Sequence, residues 1–210
     1  MAKKTLKPKA FFITVEGLEG CGKSSVFNFL TTFLKRKGYS VKVFREPGST
    51  KIGEKIRKLL LDKKNGNLSL HTELLLYLAA RTQLIEEKLK KARSFSDIVI
   101  CDRFLDSTLA YQGYALGLGK IAFDSVKMFS LGINPDITIF LDVSPKVGLA
   151  RLKKKDRIES RPITFHNKLR RGYLSLAKKY PRRIKVIDAS GSLEDIYVSV
   201  ERLINRVLPR

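Results

Sequence analysis

The chain has 210 residues, of which 43% are hydrophobic, enough for one domain with a sizeable core and far from a disordered composition. Its 42 Lys/Arg against 20 Asp/Glu give a net charge of +22, which argues for polyanionic ligands but does not say whether these are nucleic acids or small phosphates. No apolar run reaches the roughly 20 residues of a membrane span, and the two cysteines, Cys21 and Cys101, are too few for a disulfide framework, so free thiols in a reducing cytoplasm are expected.

In chain order, residues 1–9 read as a basic tail. The short apolar run behind it, Ala10 to Val15, leads into a glycine loop and not into a small-residue cleavage site, so a signal peptide is not expected. A single domain is expected over residues 10–210. Phe11–Glu16 predicts a first strand, followed by Gly17-Leu18-Glu19-Gly20-Cys21-Gly22-Lys23-Ser24 and a helix over Ser25–Lys37. That order of strand, loop and helix is the context in which G-x-x-x-x-G-K-[ST] cradles phosphate: backbone N–H groups curl around the oxygens, Lys23 reaches the β- and γ-phosphates, and the Ser24 hydroxyl holds Mg²⁺. The helix adds its positive end to the same anion.

Further strands are predicted at Val41–Arg45, Ile98–Asp102, Ile137–Val143 and Ile184–Asp188, all apolar enough to be buried on both faces. They alternate with helical patterns, the signature of a parallel α/β sheet. The helices fall at Lys51–Leu61, Ser69–Lys91, Ser107–Tyr114, Val126–Leu131, Pro145–Lys154 (with Ser144 as N-cap), Pro162–Lys179 and Leu193–Val207 (with Ser192 as N-cap). Four strands end in a charge, Glu16, Arg45, Asp102 and Asp188, which sorts these groups toward the sheet edge where α/β ligands bind.

Three more constellations carry chemistry. Asp102-Arg103 closes the third strand: the carboxylate can hold Mg²⁺ and the guanidinium can grip a phosphate through two parallel hydrogen bonds. Arg45-Glu46-Pro47-Gly48 delivers a second arginine by a rigid turn. Tyr77 and Arg81 stand at i and i+4 of the long helix, where the pair can stack on a base and bond its edge, although Tyr77 alone also reads as core packing. Between Arg151 and Lys185 stand 14 Lys/Arg against two acids, and Lys153-Lys154-Lys155-Asp156-Arg157 reads as a mobile basic loop.

The motifs Gly-Leu-Glu-Gly-x-Gly-Lys-Ser, Arg-Glu-Pro-Gly, Tyr-x-Ala-Ala-Arg, Asp-Arg-Phe-x-x-Ser-Thr-x-Ala-Tyr-Gln-Gly, Leu-Asp-Val-x-Pro and Asp-Arg-Ile-Glu stand in the order and approximate spacing of the bacterial thymidylate kinases, which the chain resembles from Phe11 to its C-terminus. The resemblance implies a P-loop fold: a five-stranded parallel sheet flanked by helices, with a short basic lid over about residues 153–161, working as a cytoplasmic homodimer. It implies transfer of the γ-phosphoryl of ATP to dTMP with Mg²⁺.

It also implies roles. Gly20, Gly22, Lys23, Ser24 and Ser25 hold the ATP phosphates and Mg²⁺, and Arg151 packs near adenine. Glu19 sits near the 3′-hydroxyl side of the acceptor; Arg45, Glu46 and Arg103, with Pro47 in the turn, surround its phosphate. Tyr77 stacks on thymine and Arg81 meets its edge. Ser107, Thr108, Tyr111 and Gln112 frame base and sugar, with Tyr111 excluding a ribose 2′-hydroxyl. The loop interior lacks the basic residue that some relatives carry, so the lid must supply the transition-state cation, from Arg157 or Lys155, with Lys153 a third candidate.

Several features depart from the family pattern. The lid is shorter than usual and carries lysines where arginines are common. Ser49 replaces a glycine, with strain expected if the position needs positive φ. Cys21 replaces alanine, and its thiol, beside a helix N-terminus and Lys23, is expected to be acidified and shielded by ATP. The rival readings are another nucleotide or deoxynucleoside kinase of similar fold and a nucleic-acid-binding P-loop ATPase. The latter has no use for a monophosphate pocket, so nucleic acid is not expected as a partner.

Overall fold

The computed structural model describes residues 9–208, so most of the expected basic tail lies outside the described residues. Five strands form one parallel sheet in the order β2-β3-β1-β4-β5: β1 (Phe11–Gly17), β2 (Val41–Arg45), β3 (Ile98–Asp102), β4 (Ile137–Asp142) and β5 (Ile184–Asp188). Pairing sets Val15 and Arg45 on either side of Asp102, and Asp142 opposite Asp188. The charged strand ends therefore share one edge, as their spacing predicts.

The expectation of strands buried on both faces holds for the central three and fails at the rims. Lys42 and Val43 of β2 and Val186 of β5 are exposed, because an edge strand has one neighbour and incomplete helical cover. Alternation along β1 feeds two cores. Phe12 packs with Phe104, Phe140 and Tyr173 on one face, and Phe140 stacks on Tyr173 with ring centroids 4.6 Å apart. Ile13 and Val15 pack with Leu30, Leu34 and Val200 on the other. Each such side chain contributes roughly 1.5–3 kcal/mol on burial.

Helix α1 (Lys23–Arg36) starts two residues earlier than predicted, directly from Gly22 at φ 82°. Helix α2 (Lys51–Leu61) is capped by Thr50, whose side chain accepts from Gly53 N–H. Ser69 caps α3 (Leu70–Leu84), which continues through a π segment (Ile85–Leu89) into α4 (Lys90–Phe95), past its predicted end. Helix α5 (Leu105–Thr108) likewise runs into a π segment (Leu109–Ala115). π segments recur at functional sites, and this one carries Tyr111 and Gln112.

Helix α6 (Gly119–Phe129) starts well before the predicted Val126, opening at Gly119 with φ 44°. Helix α7 (Pro145–Ala150) is shorter than predicted, and Ser144 makes no side-chain cap bond; its place at the N-terminus is not enough to satisfy a donor. Helix α8 (Ile163–Lys179) and α9 (Leu193–Val207) complete the fold, the latter capped by Ser192, whose Oγ accepts from Asp195 N–H at 3.2 Å. Among the described residues no helix is long and apolar enough to cross a membrane.

Candidate active site

The loop from Gly17 to Gly22 joins β1 to α1, with Gly20 at φ 70° and Gly22 at φ 82°. Only glycine fits at position 20: a Cβ there would lie 1.9 Å from the Gly148 carbonyl oxygen of α7. A Cβ on Gly148 would in turn lie 2.3 Å from the Glu19 carbonyl oxygen, so loop and helix meet backbone to backbone. Gly148 escapes sequence reading, being one small residue in a helical pattern. Lys23 Nζ lies 2.6 Å from Asp102 Oδ1, which joins the loop to the end of β3. Ser24 is exposed, Ser25 half-buried, and Arg151 donates to the Gly20 carbonyl at 3.2 Å.

Leu18 and Cys21 turn into the core. This overturns the expected acidic thiol. Burial pushes the Cys21 pKa up, and the nearby Lys23 and Arg103 do not offset it.

Beyond the loop opens a cavity of about 280 Å³ lined by Glu19, Lys23, Ser24, Arg45, Glu46, Pro47, Tyr77, Arg81, Asp102, Arg103, Ser107, Thr108, Tyr111 and Gln112, and so by most of the predicted site residues. Arg103 stands at its centre, at φ 67°. Its guanidinium donates to the Gly17 carbonyl and to Glu19 Oε1, both at 2.9 Å, and lies 5.1 Å from the centre of the Tyr111 ring. Tyr111 donates to the same Glu19 oxygen at 2.6 Å. Burial alone would raise the Glu19 pKa, but Arg103, this phenol and Lys23 outweigh it and hold the carboxyl below its ordinary value. Glu19 is thus a carboxylate.

Behind Arg103, the fully buried Glu16 accepts from Phe104 N–H (2.8 Å), Ser107 Oγ (2.6 Å) and Tyr173 OH (2.8 Å). Burial lifts its pKa to about 7, with Arg103 opposing.

The far wall is built by α3 and the turn after β2. Arg81 is buried; it donates through Nε to Glu46 Oε2 at 2.8 Å and through NH2 to Thr108 at 2.9 Å, leaving NH1 buried without a partner. Tyr77 is half-buried and faces the cavity with Phe104 and Leu61, which settles the core-or-pocket question in favour of the pocket. Burial also pushes its phenol pKa up.

Arg45 is exposed at the mouth and donates to both oxygens of Glu54, at 2.9 and 3.0 Å. Ser49 does adopt positive φ, at 65°, and the strain is offset locally: its Oγ accepts from Arg45 N–H at 2.7 Å and its own N–H donates to Glu54 Oε1 at 2.8 Å. Sequence reading missed Arg57, which also lines the cavity and donates to the Pro47 carbonyl at 3.1 Å; as one cation in a basic helix it carries no distinguishing signal.

In the lid, Arg157 is tied into the fold. Arg157 is 8% exposed and turned away from the phosphate loop: Nε donates to the Leu60 carbonyl and NH2 to Glu73 Oε2, both at 2.6 Å. A guanidinium held this way anchors the lid, whereas Lys153 and Lys155 are exposed. Among the described residues no group of three or more His, Cys, Asp and Glu side chains forms a metal cage. Asp102 and Ser24 both line the cavity and could hold Mg²⁺, an ion that keeps phosphate oxygens and water among its ligands.

The sequence profile of the thymidylate kinase family matches residues 15–200. The chain is similar to a thymidylate kinase of Thermoanaerobacter sp. (strain X514), 42% identical over 206 residues that cover 95% of this chain and 100% of that one. It is also similar to one of Protochlamydia amoebophila (strain UWE25), 47% identical over 198 residues that cover 89% and 88% of the two chains. The crystal structure of the thymidylate kinase from Ehrlichia chaffeensis superposes with a TM-score of 0.77 at 31% identity, covering 94% of this chain and 99% of that one. In sequence and in its P-loop fold, the chain belongs to the thymidylate kinase family.

Proposed function

We propose that this protein transfers the γ-phosphoryl group of ATP to dTMP, giving dTDP and ADP, on the way to dTTP. One observation carries the reading: a single cavity has an aromatic wall and an unpartnered buried donor at one end, Tyr77, Phe104 and Arg81, and Arg103, Arg45 and Lys23 at the other. That is the division needed by a flat base joined to a phosphate.

Phosphoryl transfer asks little covalent chemistry of a protein. It asks for alignment and for cations where charge shifts. In this reading the loop N–H groups and Lys23 hold the ATP phosphates, Arg151 lies along adenine, and Arg45 and Arg103 orient the acceptor phosphate, with Glu46 holding Arg81 in place. Glu19 and Tyr111, bonded to each other, lie along the sugar, where Tyr111 leaves no room for a 2′-hydroxyl. Ser107, Thr108 and Gln112 frame the base. Asp102 and Ser24 would hold Mg²⁺, which supplies neutralisation of phosphate charge when bound. Lys153 and Lys155 cover the γ-phosphate when the lid closes and excludes water.

Residues 10–210 act as one catalytic domain, in the cytoplasm and as a homodimer. In support of the dimer, α3 and α6 pack on each other and leave Leu75, Ile121 and Met128 exposed, at 60%, 50% and 69%. Coupled-enzyme rates with ATP and Mg²⁺ across dTMP, dUMP, CMP and thymidine test the activity; fastest turnover on anything but dTMP refutes it. A sedimentation mass of one chain would reject the dimer.

A further inference from the structure

Glu73 lies outside the cavity lining, carries no motif, and is fully buried. A buried carboxylate is costly unless every lone pair is used. Here Oε1 accepts from Gln112 Nε2 at 2.9 Å, and Oε2 accepts from NH2 of Arg157 and of Arg161, each at 2.6 Å.

We infer that Glu73 is a positioning residue that couples recognition of the acceptor base to docking of the lid: one side of its carboxylate sets the Gln112 amide, and the other anchors Arg157 and Arg161. This rests on the activity proposed above.

The first half follows from donor chemistry. An ionised carboxylate only accepts, so Gln112 must turn its nitrogen to Glu73 and keep its oxygen as the group left for the cavity. Across the cavity stands the free NH1 donor of Arg81. A donor and an acceptor together fit a base with a carbonyl beside a ring N–H, as in thymine. They oppose cytosine, which offers an exocyclic amine donor at that edge. The second half follows from where the arginines go. Arg157 also ties to Leu60 at the end of α2, and Arg161 lies 4.6 Å over the Phe165 ring at the start of α8, so the middle and the C-terminal end of the lid converge on this carboxylate. Neither arginine lines the cavity. Without them the buried Glu73 carboxylate would keep Gln112 as its one hydrogen-bond partner among the described residues and would no longer be fixed in place to orient that amide.

The test compares two variants of the full-length protein, Glu73→Gln and the double Arg157→Gln/Arg161→Gln. Affinities for dTMP and dCMP are read by titration calorimetry, and tryptic cleavage at Lys153–Lys155 is timed. Calorimetry needs no turnover, so failure of the kinase reading shows in wild-type assays while these arms report on Glu73. We expect the dTMP-to-dCMP affinity ratio to fall at least about 10-fold in both variants, since a site built to bond a polar edge loses discrimination when that bond is no longer enforced. Cleavage should quicken by about fivefold or more as the lid opens. If Glu73→Gln does not fold, the double variant carries both readouts. A folded variant with an unchanged ratio or an unchanged cleavage rate overturns the coupling.

Discussion

Glu16→Gln isolates the buried acid behind Arg103. In the native protein burial outweighs the attraction of Arg103 and lifts the Glu16 pKa from 4.5 to about 7, with Asp106 adding to the rise. Below pH 4.5 the carboxyl is protonated in both folded and unfolded chains and contributes no pH dependence. Between the two values the native state keeps a proton that the unfolded chain has released, so stability falls as pH rises; above about 7 both are ionised and the loss is complete. At about 1.4 kcal/mol per pH unit, that interval amounts to roughly 3 kcal/mol.

Urea melts of wild type and Glu16→Gln at constant ionic strength give the two stabilities at each pH. Their difference should decline by roughly 3 kcal/mol from pH 4.5 to 8 and then level off. A flat difference, or one that rises with pH, refutes the reasoning. Once ionised, the acid accepts from Phe104 N–H, Ser107 and Tyr173 together and fixes the segment that carries Arg103.

Lys23→Ala should lower kcat by about 10²–10³ or more, the scale for losing one preorganised charge donor, with the fold unchanged by circular dichroism; near-normal turnover would refute its role. Arg81→Ala should raise the KM for dTMP and also destabilise the fold by about 3–5 kcal/mol, because Glu46 is left buried and unpaired. Adding Glu46→Gln should restore stability but not KM, and recovery of both would remove Arg81 from the base pocket. Replacing Lys153 and Lys155 together should lower kcat with little change in melting temperature, whereas Arg157→Ala should lower melting temperature first; the reverse pattern would return the catalytic cation to Arg157. Both cysteines are buried with raised pKa values, so a thiol reagent at pH 8 should label neither until the protein is unfolded, with or without ATP. Rapid labelling of Cys21, blocked by ATP, would contradict its placement.

Strands, their shared charged edge and the phosphate loop were legible because each is written in contiguous residues: apolar runs closed by Glu16, Arg45 and Asp102, and a glycine pattern between strand and helix. What was hidden depends on neighbours remote in sequence. Whether a strand is an edge is decided by sheet order, so Val43 and Val186 looked as buried as Ile100. Cys21 looked reactive from its flanking residues, but its environment is the core beneath the loop. The lid arginine is the clearest case. Its basic surroundings suggested a phosphate contact, while its partners, Leu60 and Glu73, lie 97 and 84 residues earlier. Glu73 itself, an acid directly before the apolar run Leu74–Leu76, was the one available signal.

The account turns on one cavity holding the acceptor with its base between Tyr77 and Arg81 and its phosphate at Arg103 and Arg45. The most direct measurement is a crystal structure with dTMP and a non-hydrolysable ATP analogue bound together. The account predicts thymine against the Tyr77 ring within hydrogen-bond reach of Arg81, and the dTMP phosphate on Arg103 facing the γ-phosphate at Lys23. A dTMP molecule bound elsewhere, with Tyr77 and Arg103 turned from it, would contradict it.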